Sequence, residues 1–344
     1  MSQKKQPSPE LFLNAVMAYR DSAAVKGAVE LDVFTALAQG VNTVEDLAGH
    51  CQADKRGMRI LCDYLCVMGL LEKSGSAYSL TEDSAVFLDR NSPAYMGDVV
   101  NFLLDPFFIR DIGDVARAVR KGGVVTSTTG SDVPGHPMWE TFARSMTGLN
   151  RMPADLLADL VCADLAGTEA GEKVRVLDIA AGSGIFGITV AQKHPQAEIT
   201  AVDWPNVLEV ALENVAQAGL GQRYNTIPGS AFEVEAGTGY QVILLCNFLH
   251  HFDAATCSKF LARMKAALAA AGKLYTLEFV PNEDRISPPF VAGFDLHMLR
   301  QTPAGDTYTA AEYEEIFAAA GLEVTAATPL SDTAYTVVIA GHNR

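Results

Sequence analysis

The segment 174–187, Val-Arg-Val-Leu-Asp-Ile-Ala-Ala-Gly-Ser-Gly-Ile-Phe-Gly, constrains the fold of this chain most. It reads as a buried β-strand that ends in an acidic residue, followed by a glycine-rich turn and the start of a helix. A second strand then ends at Asp203, about 20 residues further on. Gly182 and Gly184 lack a Cβ, so the backbone there can take a positive φ angle and lie against a ligand. The segment therefore predicts a strand–helix–strand unit that binds a nucleotide-like ligand.

The positions of the two acids indicate which nucleotide is bound. The spacing Gly-x-Gly-x-x-Gly over residues 182–187 matches the dinucleotide fingerprint, which keeps an NAD-dependent oxidoreductase as an alternative. In that fingerprint the first glycine closely follows the strand, whereas here Asp178 and Ala180 stand there. An acid on the strand would repel a pyrophosphate, but it could hold an ammonium group. A ligand with an amino-acid end and a nucleoside end fits better, and we predict S-adenosylmethionine (SAM), with Asp203 at the ribose hydroxyls.

Composition and charge place the chain among globular proteins. Its 344 residues are enough for two domains with separate cores, and 49% of them are apolar. A net charge of −15 argues against nucleic acid as the main partner. There is no signal-peptide pattern, no apolar stretch of roughly 20 residues that could span a membrane, no Cys-x-x-Cys pair and no metal-ligand spacing. We therefore expect a cytoplasmic protein with reduced cysteines, no membrane partner and no metal.

Residues 11–87 predict a small helical region with a β-hairpin. A helical pattern of apolar residues runs over 19–38, and Thr43 and Asp54 are placed to cap two further helices. Residues 70–80 then read as two short strands about a Ser-Gly-Ser turn. Helices followed by a β-wing in this order predict a winged helix.

A winged helix raises the alternative of a DNA-binding regulator, which the charge of this region disfavours. Residues 1–100 hold nine Lys and Arg against thirteen Asp and Glu, a balance of −4. The helix in the recognition position carries only Lys55, Arg56 and Arg59, whereas phosphate binding needs a basic face. We therefore predict that an N-terminal domain over residues 1–95 mediates homodimerisation.

Residues 96–170 predict a helical linker that contributes to a substrate pocket. The region is rich in aromatic and methionine side chains, and a loop of Gly, Ser, Thr and Pro over 122–137 interrupts it. Apolar side chains between two domains are suited to binding a flat, aromatic small molecule. The candidate pocket residues, taken from here and from a later segment, are Phe102, Phe107, Phe108, Trp139, Phe142, Phe290, Phe294, His297 and Met298.

Strands and helices alternate from residue 171 onward, which predicts a parallel sheet covered by helices on both faces. A short turn over 329–333 separates the last two strands, and such a turn joins antiparallel strands. This closing hairpin favours an α/β fold for residues 171–344 with the sheet of a SAM-binding domain rather than that of a dinucleotide-binding domain, mostly parallel with its last strand antiparallel. The predicted strands are 174–179, 198–202, 224–228, 241–246, 273–279, 323–328 and 334–341.

With these features, the sequence resembles the acetylserotonin and plant-type small-molecule O-methyltransferase family, in its bacterial branch. The resemblance covers nearly the whole chain, from the winged-helix dimerisation region through the helical linker to a C-terminal domain, for which it implies the Rossmann-like class I SAM methyltransferase sheet. It implies O-methylation of a hydroxyl on a small aromatic or polyketide-like metabolite, in secondary metabolism, with SAM as methyl donor and S-adenosylhomocysteine as product. The most specific matching segments are 139–146, 176–184, 203–208, 247–253 and 295–299.

In the family, the glycine turn and the acid matching Asp203 hold the methionine and ribose parts of SAM. The resemblance further implies that Trp204 packs against adenine and that Met146 lies near the methyl group. The family's adenine-contact motif differs here, because Ser230 replaces its carboxylate. The implied cofactor-binding residues are Asp178, Ala180, Gly182, Gly184, Asp203, Trp204, Ser230, Ala231, Phe232, Asn247 and Met146.

The family's general base is a histidine after the fourth strand, and His250 takes its position. A base that removes the acceptor proton typically contributes about 10²- to 10⁴-fold to the rate. The family flanks this histidine with two carboxylates, of which Glu278 matches the first. Thr307 replaces the second and Tyr308 the arginine after it, while Asp306 stands one residue away as a substitute. This departure keeps a carbon, nitrogen or sulfur acceptor as an alternative to the hydroxyl.

Overall fold

The chain divides into two compact units, Met1–Asp105 and Pro106–Arg344, and each has its own buried apolar core. The finer division predicted at residues 95 and 170 stays a prediction. The computed structural model describes residues 7–106, 109, 111–125, 135–167 and 171–342. The predicted pocket residues Phe107 and Phe108 lie outside the described residues.

The first unit consists of short helices and a β-hairpin. Its described elements are α1 (Glu10–Met17), α2 (Tyr19–Glu30), α3 (Val33–Ala38), α4 (Val44–His50), α5 (Lys55–Val67), β1 (Leu71–Ser74), β2 (Ala77–Leu80), α6 (Glu82–Phe87) and α7 (Val99–Leu103). Thr43 caps α4 and Asp54 caps α5, because their side-chain oxygens accept backbone N–H groups at 3.2 and 3.0 Å. β1 and β2 pair antiparallel about Gly75, whose φ of +61° suits glycine. The order of elements is that of the predicted winged helix.

The helical pattern over residues 19–38 contains a break that its apolar spacing does not reveal. α2 ends at Glu30, and Asp32 takes a left-handed conformation with a φ of +56° before α3 begins. Val29 and Phe34 are buried on either side of the break, so the apolar pattern continues through it. Aspartate tolerates this conformation better than most residues do. The structure therefore has a pair of helices where the pattern predicts one.

The described strands of the second unit form one mixed sheet. They are β3 (Val174–Ile179), β4 (Ala197–Asp203), β5 (Tyr224–Pro228), β6 (Tyr240–Cys246), β7 (Leu268–Glu278), β8 (Leu322–Pro329) and β9 (Thr336–His342). Their order across the sheet is β5–β4–β3–β6–β7–β9–β8. β3 to β7 run parallel, and β9 pairs antiparallel with both β7 and β8. The predicted fold class is confirmed.

Helices pack on both faces of this sheet. Val174 and Val176 of β3 belong to one apolar cluster, whereas Leu177 and Ile179 belong to another, since alternate side chains of a strand point to opposite faces. Within the described residues, no helix is long and apolar enough to span a membrane. The helical elements described in the second unit are a 3₁₀ turn (Asp111–Asp114), α8 (Val115–Lys121), α9 (Pro137–Asp164), α10 (Ile185–Lys193), α11 (Pro205–Gln217), a second 3₁₀ turn (Leu249–His251), α12 (Ala254–Ala267), α13 (Pro289–Gln301) and α14 (Ala310–Ala319).

The carboxyl ends of the parallel strands bring the predicted polar residues to one edge of the sheet. Asp178 lies near the end of β3 and Asp203 ends β4. Asn247 directly follows β6, and Glu278 ends β7. In open parallel sheets this edge is where ligands bind.

Candidate active site

The turn after β3 is open on one side and tightly packed on the other. Ala180, Gly182 and Gly184 have φ angles of +52°, +57° and +76°. A Cβ on Gly184 would lie 2.7 Å from the hydroxyl of Tyr224, so a larger residue would force that ring to move. A Cβ on Gly182 would meet no atom within 4 Å. The backbone at Gly182 is therefore a surface that a ligand can approach.

Asp178 is a buried carboxyl group beside this turn. Its Oδ2 accepts the backbone N–H of Gly187 at 3.1 Å, whereas its Oδ1 has no hydrogen-bond partner among the described residues. Burial raises the pKa of Asp178 to about 7, against the opposing effect of the hydrogen bond from Gly187. A buried polar atom without a partner costs about 1–3 kcal/mol. A donor on a ligand, such as an ammonium group, would therefore be stabilised at Oδ1.

Asp203 links the end of β4 to the glycine turn. Its Oδ2 accepts the backbone N–H of Gly182 at 2.8 Å, and its Oδ1 accepts that of Trp204 at 2.7 Å. Burial raises the pKa of Asp203 to about 6, although both hydrogen bonds lower it. Each carboxylate oxygen can accept a further hydrogen bond, which suits a pair of ribose hydroxyls.

The segment predicted to contact adenine lies in the turn after β5. Ser230 Oγ accepts the backbone N–H of Phe232 at 3.3 Å, and Arg263 donates to the Ala231 carbonyl at 3.1 Å. The Phe232 ring is 37% exposed, and its centroid lies 5.0 Å from that of Phe252. Sequence reasoning missed Arg263, because it reaches this turn from α12, about 30 residues further along the chain.

α9 presents residues of the predicted cofactor and pocket sets on one face. Met146 is buried two turns after Trp139, and residues at that separation lie on the same side of a helix. Trp139 and Trp204 both pack against a small apolar cluster formed by Ala143, Val207 and Val210. This cluster joins the start of α9 to α11, the helix that follows Asp203.

His250 and Glu278 form a buried pair beyond the ends of β6 and β7. His250 Nδ1 lies 2.5 Å from Glu278 Oε2, and the two side chains are 4% and 0% exposed. Glu278 Oε1 accepts the backbone N–H groups of Phe248 at 2.9 Å and Leu249 at 2.8 Å. Because Nδ1 faces a carboxylate, we assign the proton of the neutral imidazole to Nδ1, which leaves Nε2 as an acceptor. An imidazole with an unprotonated ring nitrogen can accept a proton from a neighbouring group.

Other rings form a contiguous group around His250. The His250 centroid lies 4.5 Å from that of His251 and 4.9 Å from that of Phe294. His251 lies 5.6 Å from Trp139, and Phe294 lies 6.1 Å from His297. Burial lowers the pKa of His297 to about 4 and the pKa of His251 well below its ordinary value, so both rings are neutral at pH 7. These mainly apolar surroundings suit a flat aromatic acceptor.

The remaining predicted pocket residues have different surroundings. Phe142 contacts Trp139, with ring centroids 5.8 Å apart. Phe290 is 59% exposed at the start of α13, and Met298 is buried about two turns later in the same helix. Phe102 is buried in α7 of the first unit, and its place in the pocket stays a prediction.

Sequence reasoning missed residues whose partners are distant in the chain. Phe279 lies between Phe294, at 4.4 Å, and Tyr335, at 4.3 Å between ring centroids. Phe279 is the last residue of the predicted strand 273–279, and this position at the edge of the sheet could have identified it as a site residue. Tyr224 carries no such signal, because it reaches Gly184 only through the pairing of β5 beside β4.

This sheet edge can hold a methyl donor that has an amino-acid end and a ribose, since an acid with an unpartnered oxygen lies beside the turn and a second acid ends the next strand. The class of protein is therefore a SAM-dependent methyltransferase. Among the residues that the structure describes, no group of three or more His, Cys, Asp or Glu side chains is arranged to hold a metal ion.

Family models match both units of the chain. Residues 141–323 match an O-methyltransferase domain, and residues 13–90 match an O-methyltransferase dimerisation domain. The first match alone spans more than half of the chain, so this protein belongs to the O-methyltransferase family. The family resemblance predicted from the sequence is confirmed, and an O-methyltransferase domain matches where an oxidoreductase was the alternative. A dimerisation domain matches the region for which DNA binding was the alternative.

Individual proteins agree with this assignment. The chain is 28% identical over 327 residues to the 3-hydroxy-5-methyl-1-naphthoate 3-O-methyltransferase of Streptomyces sahachiroi, covering 91% of this chain and 89% of that one. It is 24% identical over 311 residues to the S-adenosyl-L-methionine-dependent methyl transferase PigF of a Serratia species, covering 90% and 89% of the two chains. The crystal structure of a candidate O-methyltransferase of Nostoc punctiforme PCC 73102 has a TM-score of 0.91 at 50% identity, covering 97% of this chain and 99% of that one. The prediction of SAM as the cofactor is confirmed.

Proposed function

We propose that this protein transfers the methyl group of SAM to a hydroxyl on a small aromatic or polyketide-like metabolite, with His250 as general base, and that it acts as a homodimer through residues 13–90. The observation that carries the proposal is the 2.5 Å contact between His250 Nδ1 and Glu278 Oε2. The Streptomyces sahachiroi relative is named for transfer to a naphthoate hydroxyl, which supports an aromatic acceptor. The match to a dimerisation domain supports the homodimer.

The residues at the sheet edge fit SAM. Asp178 Oδ1 offers an unpartnered acceptor to the amino group, Asp203 offers acceptors to the ribose, and the open side of Gly182 leaves room for the methionine part. Asn247 has a φ of +55°, and its Oδ1 is buried with no partner in the described part of the chain. Asn247 therefore adds one more acceptor at the same edge. When bound, SAM supplies a methyl group that is activated by its sulfonium.

Because the methyl group is already activated, the residues of the protein orient the acceptor and remove its proton. Orientation of two reactants can lower a barrier by about 7–11 kcal/mol at most. Nε2 of His250 accepts the hydroxyl proton, and the Glu278 carboxylate stabilises the imidazolium that results. The rings of His251 and Phe294 exclude water on the sides of His250 that they cover.

Calorimetric titration with SAM tests the cofactor site. We expect Asp203→Ala to weaken SAM binding by about 10- to 100-fold, because hydrogen bonds to a charged group contribute about 1.5–3 kcal/mol. Glu209→Ala removes an exposed acid from α11 and serves as the matched control, with the affinity of the wild-type protein. Equal affinities of the two variants for SAM would contradict the assignment of Asp203.

A panel of phenols and naphthols tests the acceptor. Each compound is paired with the analogue that carries hydrogen in place of the hydroxyl, and mass spectrometry with NMR locates the new methyl group. We expect transfer to oxygen and no transfer to the paired analogue, because the proton that His250 removes is that of the hydroxyl. A methyl group found on carbon, nitrogen or sulfur would refute the hydroxyl assignment and leave the methyltransferase class standing.

A further inference from the structure

The turn that carries His250 is held by a second segment of the chain. This histidine turn, residues 248–252, contains the short 3₁₀ turn after β6. Residues 302–308, here named the bracing segment, lie between α13 and α14 and form hydrogen bonds with the histidine turn. The bracing segment is more than 50 residues from His250 in sequence, so its contacts are tertiary.

Contacts between the two segments are made to backbone carbonyls of the histidine turn. The Asp306 N–H donates to the His250 carbonyl at 3.1 Å, and the Tyr308 hydroxyl donates to the Phe252 carbonyl at 2.6 Å. At Gly305, a Cβ would lie only 2.3 Å from the His250 carbonyl oxygen. Glycine therefore allows the bracing segment to lie against the peptide group of His250.

The Asp306 carboxyl group, which lies in the bracing segment, interacts with Arg285 and Asp295. The Asp306 carboxylate lies 3.8 Å from Arg285. Burial and a hydrogen bond to Asp295 raise the pKa of Asp306 to about 6. Thr307, which stands where the family has its second carboxylate, is buried, and its N–H donates to Asp295 at 3.1 Å. Neither residue supplies the imidazole with a second carboxylate in these contacts.

We propose that Gly305 and Tyr308 are positioning residues for His250, which fix the histidine turn through its backbone and so replace the second carboxylate of the family pattern. This inference rests on the proposed role of His250 as general base. Glu278 fixes the imidazole from the side of Nδ1, whereas the bracing segment fixes the peptide from which that side chain projects. A displacement of about 1 Å at a reacting group can cost about 10²-fold in rate. The position of this peptide therefore affects turnover.

Tyr313 provides an internal comparison for Tyr308. The two rings are buried with their centroids 5.7 Å apart. The Tyr313 hydroxyl has no hydrogen-bond partner in the part of the chain that the structure describes, whereas the Tyr308 hydroxyl binds the histidine turn. Phenylalanine at either position deletes one hydroxyl group from one of two neighbouring buried rings. The difference between the two variants therefore isolates the bracing contact.

Steady-state kinetics on the full-length protein measure this difference. We expect Tyr308→Phe to lower kcat about tenfold with an unchanged KM for SAM, because the acceptor and the base are misaligned while the cofactor site is intact. Tyr313→Phe should remain within about twofold of wild type, since it deletes a hydroxyl that has no partner. Gly305→Ala should lower kcat by about 10²-fold, because a Cβ pushes against the His250 carbonyl.

NMR of protein labelled with ¹⁵N in its histidine rings gives a readout that needs no acceptor. The His250 ring signals are assigned by their loss in His250→Ala. We expect these signals to shift in Tyr308→Phe and Gly305→Ala and to stay in place in Tyr313→Phe. Thermal unfolding confirms that each variant folds, and if Gly305→Ala does not fold, the matched tyrosine pair carries the test.

Equal kcat values together with equal His250 signals in Tyr308→Phe and Tyr313→Phe would overturn the positioning role. Failure of the proposed function looks different. A wild-type protein that methylates no hydroxyl acceptor, or a His250→Ala variant that turns over normally, would count against the general base. In that case the His250 ring signals still test the bracing contact. A shift in Tyr308→Phe but not in Tyr313→Phe supports it, and equal signals in the two variants indicate ordinary core packing.

Discussion

Alanine in place of His250 is expected to lower kcat by about 10²- to 10⁴-fold, the range that a general base contributes. The imidazole is buried and its Nδ1 is bound to Glu278, so the ring is held in one orientation with Nε2 as acceptor. Among the residues that the structure describes, the His250 ring contacts Glu278 and neighbouring rings, and it has no recorded contact with Asp178 or Asp203. SAM affinity should therefore stay near the wild-type value, which calorimetry measures beside single-turnover rates at saturating SAM.

Glu278→Gln tests the same pair from the other side. Glutamine keeps an oxygen for the backbone N–H groups of Phe248 and Leu249, but it directs an NH₂ group toward Nδ1 of His250. The imidazole proton then moves to Nε2, and the ring can no longer accept the proton of the acceptor hydroxyl. We expect a loss of kcat of the same order as in His250→Ala.

His194→Ala is the matched control for the removal of an imidazole. His194 directly follows α10, and the carboxyl end of that helix lies away from the carboxyl edge of the strands. The turnover of the His194→Ala variant should therefore stay within about twofold of wild type. Turnover near the wild-type value in His250→Ala would show that proximity alone carries the transfer, and it would remove the general base from the proposed function.

The strands of the second unit are predictable because a buried parallel strand is a short apolar run bounded by turns. For β3 and β5 the predicted bounds agree with the structure at both ends. β7 begins five residues earlier than predicted, at Leu268, because Leu268 pairs with Tyr240 of β6. The alanines of residues 269–271 favour helix by propensity, so here tertiary pairing overrides the local preference.

The predictable part of the site is the part that lies within one strand–helix–strand unit. Asp178, Gly182 and Asp203 are close in sequence, and the right-handed crossover brings them to one edge. The contact between His250 and Glu278 depends instead on the adjacency of β6 and β7, which strand order alone decides. The bracing segment, residues 302–308, binds backbone carbonyls, and such contacts leave no side-chain pattern in a sequence.

Asp178→Asn is expected to change how the stability of the SAM-free protein depends on pH. Burial holds the pKa of Asp178 at about 7 in the folded protein, above its ordinary value of 3.8. Between these values the unfolded chain has lost the proton and the folded chain keeps it, so the free energy of unfolding falls as the pH rises. Asparagine does not ionise, yet it still offers an oxygen to the Gly187 N–H. The difference in the free energy of unfolding, variant minus wild type, should therefore grow by about 3 kcal/mol as the pH rises from about 5 to about 8.

Denaturant unfolding of both proteins across this pH range measures the change, and Glu209→Gln, at an exposed acid on α11, should show no such trend. Three titratable groups that interact with Asp178 are present in both proteins. Burial raises the pKa of Asp203 to about 6, and it raises the pKa values of Tyr224 and Cys246 well above their ordinary values. Excess SAM should reduce the stability difference between the two proteins at pH 8. The ammonium group of SAM would pair with the ionised Asp178 of the wild-type protein, whereas the variant has no negative charge at this position. A stability difference that does not vary with pH would contradict a proton held on Asp178, and it would mean that this carboxylate is already ionised before SAM binds.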